Sequence, residues 1–201
     1  MEEIHIQERG RAMNYRHLFL SILLVLTIEG PAGLSTLGGG AAGLSPKTVD
    51  LIRSVRVATA KYQDVRTARA AGYGEFLDCF TYGGQRGMGQ HYVQGDWAGD
   101  DVLDPLRPEA LVYEPLGDGK QVLVAYEYLV FADVWDPDEE GRNPPRLFGQ
   151  EFTLKTTIPQ TPPVWTLHIW LWSHNPDGLF ADYNPLITCP ADQPVVDMAA
   201  S

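Results

Sequence analysis

The sequence predicts an α+β domain: a mostly antiparallel β-sheet or partial barrel, with one long N-terminal amphipathic helix. Three observations lead there. Apolar residues recur at helical spacing between Pro46 and Ala71, and short runs rich in β-branched and aromatic residues follow beyond Gly74. Gly, Pro and Asp clusters separate those runs, as turns between adjacent strands do.

With 44% hydrophobic and 20% charged residues among 201, the chain has the composition of a globular protein and the size of one domain. Its 15 Lys and Arg against 26 Asp and Glu give a formal charge of −11, which phosphate backbones and anionic membrane surfaces repel. Nucleic acid is therefore not an expected partner.

Residues 1–42 read as a cleaved signal sequence. Arg9, Arg11, Arg16 and His17 precede the apolar run Leu18 to Ile28, and Gly40 with Ala42 supplies small residues for cleavage near Ala42. The run holds 11 residues, fewer than the ~20 needed to cross a hydrocarbon core, so no stable membrane span is expected after processing. A permanent span is the alternative reading. Met13 is an alternative start that leaves the same mature domain.

Export predicts a secreted or periplasmic protein. An oxidising compartment makes Cys79 and Cys189 natural disulfide partners. Closing so long a loop stabilises a fold by up to ~4.7 kcal/mol in the chain-entropy description. The alternative is a reactive thiol near a histidine.

Residues 43–201 are expected to form a single domain. Ser45 and Pro46 provide an N-cap and first helical position, Leu51, Val55, Ala58, Tyr62 and Val65 form the apolar stripe, and Gly72 with Gly74 ends the helix. Strands are expected at Gly89 to Gln94, Ala110 to Glu114, Gln121 to Phe131, Leu147 to Lys155 and Val164 to Trp172, with a hairpin turn at Gly117 to Lys120. The acidic, proline-rich stretch 133–145 should be a solvated loop. Its Asp136, Asp138, Glu140 and Gly141 imitate the start of a calcium loop, but Leu147 stands where a bidentate Glu is required.

Two of these strands are apolar on both faces, so a polar residue within them cannot avoid burial. Alternation from Gln121 to Phe131 sets Val122, Val124, Tyr126, Tyr128 and Val130 on one face and Leu123, Ala125, Glu127, Leu129 and Phe131 on the other. Glu127 is the lone carboxylate of that run, and His168 is the lone titratable group from Val164 to Trp172. Each needs a partner, a neutral state or a metal. Beyond the signal, the histidines are His91, His168 and His174, and glycines at 83, 84, 87 and 89 would let the backbone pack closely just before His91.

His91, Glu127 and His168 are accordingly the expected ligands of one transition metal ion, Zn, Cu, Fe or Mn, with a position left for water or substrate. His174 is expected as a fourth ligand or as the acid or base beside the centre, and Glu151 as a weaker substitute. No His-x-His or His-Glu-x-x-His spacing occurs, so the site depends on distant strands meeting. Without metal, the same residues would form a Glu127–histidine ion pair. Tyr126, Tyr128, Trp170 and Trp172 are expected to line a cavity for a small apolar or sugar-like ligand, which defines the second class: a non-catalytic binding protein.

The blocks Gly87-Met88-Gly89-x-His91-Tyr92, Leu147-Phe148-Gly149-Gln150 and Leu167-His168-x-Trp170-Leu171-Trp172-x-x-Asn175-Pro176-x-Gly178-Leu179-Phe180 resemble those of uncharacterised exported bacterial proteins. The resemblance implies an exported bacterial origin and brings no activity. In mixing glycine-flanked histidines with a strand glutamate the chain is also loosely similar to a cupin, although the paired His-x-His of that family is missing at His91.

Overall fold

A computed structural model of the chain describes residues 43–158, 161–191 and 195–196; the expected signal sequence, 1–42, lies outside them. The fold is α+β. Its helical part comprises α1 (Pro46–Thr59), a 3-10 turn (Ala60–Gln63) and α2 (Val65–Ala70). Ser45 caps α1 as expected, accepting a 3.1 Å hydrogen bond from the Thr48 amide.

The single helix expected from Pro46 to Ala71 is broken, and Asp64 is the cause. It adopts an extended conformation, and its carboxylate caps α2 by accepting from the Arg66 amide. Capping from this position satisfies an amide that a new helix start would otherwise leave free.

The strands are β1 (Tyr73–Leu77), β2 (Thr81–Tyr82), β3 (Arg86–Gly87), β4 (Gln90–Gln94), β5 (Ala110–Pro115), β6 (Gln121–Phe131), β7 (Arg146–Leu147), β8 (Gln150–Glu151), β9 (Thr153–Lys155), β10 (Val164–Ile169) and β11 (Val195–Val196). Six form one antiparallel sheet in the order β1-β4-β5-β6-β10-β9. It does not close into a barrel. The run expected as one strand from Leu147 to Lys155 is divided among β7, β8 and β9, with positive φ at Phe148 and Gly149 between the first two. The strand expected to reach Trp172 stops at Ile169, where the Trp170 amide turns to the Leu179 carbonyl.

A β-bulge revises the faces of β6. Val112 pairs with Ala125 but Tyr113 pairs with Leu123, which leaves Val124 as the extra residue. Leu123 consequently joins Tyr126 and Tyr128 in the core, while Val124 and Ala125 both pack with Val112, Trp170 and Ile187. The amides of Trp172 and Ser173 bind the Val124 carbonyl at 3.1 and 3.2 Å, tying the chain after β10 to the bulge.

One sheet face packs on the helices through Tyr92, Leu111, Tyr113, Tyr126, Tyr128, Leu167 and Ile169, joined by Val55 and Tyr62. The Tyr113 hydroxyl donates to the Tyr62 carbonyl at 2.6 Å, fixing the helical layer to β5. Near the opposite face, the segment carrying β2 and β3 pairs with the C-terminal segment through Gly87 and Asn184. Cys79 and Cys189 form the expected disulfide between these two segments. A Cβ at Gly87 would stand 2.5 Å from the Ile187 carbonyl oxygen, so only glycine permits that approach. Among the described residues, no helix is long and apolar enough to cross a membrane.

A candidate metal centre on the sheet face

Register brings the three expected ligands to one place. Glu127 is the direct partner of His168 across the β6–β10 ladder, and on its other side it pairs with Ala110 of β5. His91 pairs with Val112, which pairs with Ala125, the residue one alternation before Glu127. Small side chains at Ala110 and Ala125 leave the space between the strands to the larger polar groups. Gly89, at φ +90°, delivers β4 to this point, and a Cβ there would meet Val112 Cγ1 at 2.6 Å.

His91, Glu127 and His168 are all buried, and one donor atom from each lies within 4.8 Å of the others. Nε2 of His91 stands 3.4 Å from Nε2 of His168 and 3.5 Å from Oε2 of Glu127. Two donors bound tetrahedrally to one ion at metal–ligand distances of about 2.0–2.2 Å stand roughly 3.3–3.6 Å apart. The two contacts of His91 therefore have the edge lengths of a tetrahedral site. As a hydrogen-bonded cluster the group is weak, because these contacts exceed the usual ~2.9 Å.

The electrostatics agree. Burial holds His91 down to about 3, with the neighbouring His168 adding to the effect. Burial likewise holds His168 down to about 3, assisted by Lys155. Burial pushes Glu127 up to about 8, with Asp182 reinforcing the shift and Lys155 opposing it. At neutral pH burial leaves the three groups mainly uncharged, which disfavours the ion pair expected in the metal-free alternative even though the contacts are within ion-pair distance. Nδ1 of both imidazoles is buried without a hydrogen bond; the carbonyl of Gly89 moderates the shift of His91 without completing one.

Two residues not anticipated from the sequence adjoin the group. Oδ1 of Asp182 lies 3.9 Å from Nδ1 of His168, while its Oδ2 pairs with the Lys155 ammonium. A carboxylate placed behind a ligating imidazole fixes which ring nitrogen carries the proton. Nδ1 of His168 also faces Oε1 of Glu127 at 3.5 Å.

The other expected site residues fall elsewhere. His174 is exposed in the turn after β10 and is not among the converging donors; its carbonyl accepts from Asn184 Nδ2 at 3.0 Å. Glu151 is exposed and paired with Arg146 at 2.7 Å. Asp136 does not open a calcium loop: its carboxylate accepts from the amides of Glu140, Gly141 and Arg142.

Of the aromatic residues expected to line a ligand cavity, Tyr126, Tyr128 and Trp172 belong to the helix-side core. Tyr128 donates to the Pro105 carbonyl, Trp172 donates to the Tyr126 hydroxyl, and Arg56 stacks on Trp172. Trp170 is on the site's side, stacked on His168 with ring centroids 6.2 Å apart, and its Nε1 donates to the Ala181 carbonyl. The cavity that reaches the site is instead walled by Phe76, Phe80, Met88, Val93, Leu129 and Phe131, with His91 and Glu127 in its lining. Alternation already placed Leu129 and Phe131 on Glu127's face; Phe76 and Phe80 come from strands and connections too short to carry a periodic signal.

No family model matches the chain, and neither a curated protein nor a solved structure matches it.

Proposed function

We propose that the chain is an exported metalloprotein whose sheet holds a single transition metal ion on His91, Glu127 and His168. The observation that carries this reading is the convergence of three buried donors within 4.8 Å of one another, with both contacts of His91 Nε2 at tetrahedral edge lengths. The Cys79–Cys189 disulfide fits an oxidising compartment, which supports the secreted or periplasmic reading.

Two imidazoles and one carboxylate are a donor set used both for zinc hydrolases and for iron centres that activate dioxygen. A bound ion supplies Lewis acidity to a substrate oxygen or lowers the pKa of a bound water. The chain's own part is to hold Glu127 and His168 in register, to exclude bulk water with the apolar cavity wall, and to orient His168 through Asp182. Zinc would assign the site to hydrolytic chemistry, and iron or copper to oxidative chemistry.

Elemental analysis of protein purified without a histidine tag tests this directly. The expected result is close to one transition metal ion per chain, lost in His168→Ala and in Glu127→Gln. A metal-free protein that refuses all four ions, yet gains thermal stability with small apolar compounds, would instead establish the non-catalytic binding protein, a reading supported by the apolar cavity itself.

A further inference from the structure

The cavity beside the three donors has a definite chemical character. Its floor is the sheet face of β4, β6 and β10, carrying His91 and Val93, Glu127, Leu129 and Phe131, and Val164 and Thr166. Its walls are Phe76, Phe80 and Met88, and Phe76 is half-exposed where the wall meets solvent. It encloses about 40 Å³. That is well below the ~150 Å³ of a cavity that admits benzene.

Charge is accounted for within the lining. Lys155 is its cation, and that ammonium is already paired with Asp182. An anionic guest would have to compete with Asp182 for Lys155 and lose its hydration against phenyl rings, and a cationic guest would meet the like charge of Lys155. The polar lining otherwise includes the sheet-face group that the cavity reaches.

We propose that this cavity is the substrate pocket of the centre, and that it admits an uncharged molecule smaller than a six-membered ring, apolar in body and carrying one oxygen that reaches the donors in its lining, His91 and Glu127. The proposal rests on the metal reading above. It adds a size limit, a charge class and an orientation, none of which the donor set specifies. An oxygen at the inner end is the one polar atom such a guest can place against an ion, while its carbon atoms replace water along Val93, Leu129 and Phe80.

Acetone and acetate test the charge class because they have the same number of heavy atoms and differ in charge; cyclohexanone tests the size limit. Met88 lines the cavity, so the purified chain labelled with 13C at methionine methyls reports occupancy through that resonance, assigned with Met88→Leu. Titrations are run on the zinc-loaded and the zinc-free chain. The expected result is a saturable Met88 shift with acetone, at least several-fold tighter in the zinc-loaded chain, no saturable shift with acetate in the zinc-free chain, and none with cyclohexanone in either. Val93→Phe should abolish the acetone response and leave zinc content unchanged. Acetate matching acetone in the zinc-free chain, or cyclohexanone binding as well as acetone, would overturn the proposal. So would a chain that takes up zinc and shows no acetone response, with the metal reading left standing. A chain that takes up no metal removes the metal reading first.

Discussion

Glu127 and His168 face one another across the β6–β10 ladder, with Oε1 of the carboxyl 3.5 Å from Nδ1 of the imidazole. A cross-strand pair is among the most rigid placements a fold offers, since backbone hydrogen bonds on both sides set its register. His91 reaches the same point from two strands away, so the site's geometry is a property of the sheet.

Metal uptake should release the Glu127 proton. Burial raises that carboxyl to about 8 in the metal-free chain, so affinity should rise about tenfold per pH unit from roughly pH 4 and level off above about 8. The imidazoles, held near 3, add no competing proton in that range. Calorimetric titration in buffers of different ionisation enthalpy measures the released proton; an affinity independent of pH between 5 and 8 would show that Glu127 is ionised before metal arrives.

The same shifts set the stability of the metal-free chain. The contribution of Glu127, raised from 4.5 to about 8, is fully present below pH 4.5 and lost as pH rises through 8. Those of His91 and His168, lowered from 6.5 to about 3, are present above 6.5 and lost as pH falls through 3. Glu127→Gln should therefore be more stable than its parent at pH 9 and nearly equal to it at pH 4 in denaturant unfolding. Glu109, also raised to about 8 by burial, keeps its own alkaline loss in both proteins.

Asp182→Asn should weaken metal binding by about 10–100-fold while leaving the fold intact. Its carboxylate lies behind His168 and is held by Lys155. Nitrogen-15 spectra of the metal-free chain provide the independent readout: His168 should be mainly the Nδ1–H tautomer in the parent and a mixture in the variant. Identical tautomer populations would remove Asp182 from the site.

Gly89→Ala should cost about 1–3 kcal/mol of stability and displace His91, because the residue has φ +90° and its Cβ would stand 2.6 Å from Val112 Cγ1. Thermal unfolding and metal content should fall together. Gly74→Ala, where nothing lies within 4 Å of the added Cβ, is the control.

Replacing both Cys79 and Cys189 by serine should lower stability by up to ~4.7 kcal/mol, since the bond closes a separation of 110 residues. The cavity walls at Phe80 and Met88 belong to the segment that this bond fastens, so metal in the variant should also exchange faster with chelator. Unchanged exchange would mean that the covering segments hold themselves in place.

Much of this arrangement was legible in the sequence, for stated reasons. The long strand β6 spans the residues expected of it, and Glu127 and His168 stood out as the lone carboxylate and the lone titratable group of runs apolar on both faces. Of the glycines at 83, 84, 87 and 89 expected to allow close approach, Gly87 and Gly89 show it, whereas Gly83 and Gly84 have open space beside them and positive φ. The bulge at Val124 was not legible: alternation has no mark for an extra residue, and the faces of Leu123 and Val124 were exchanged as a result. Nor was the break at Asp64, since the apolar stripe continues through it to Val65. Asp182 and Lys155 escaped because the loop after β10 and the edge strand β9 carry no periodicity that points inward. The aromatic residues misled in the opposite way: Tyr126, Tyr128 and Trp172 serve the core, while the cavity wall uses Phe76 and Phe80 from short or irregular segments.

The most direct test is a crystal structure of the chain soaked in a zinc solution, with anomalous data collected on both sides of the metal edge. One strong peak is expected about 2.0–2.2 Å from Nε2 of His91, a carboxylate oxygen of Glu127 and a nitrogen of His168. Peaks only at surface carboxylates, with the two imidazoles and Glu127 still in contact with one another alone, would contradict that expectation.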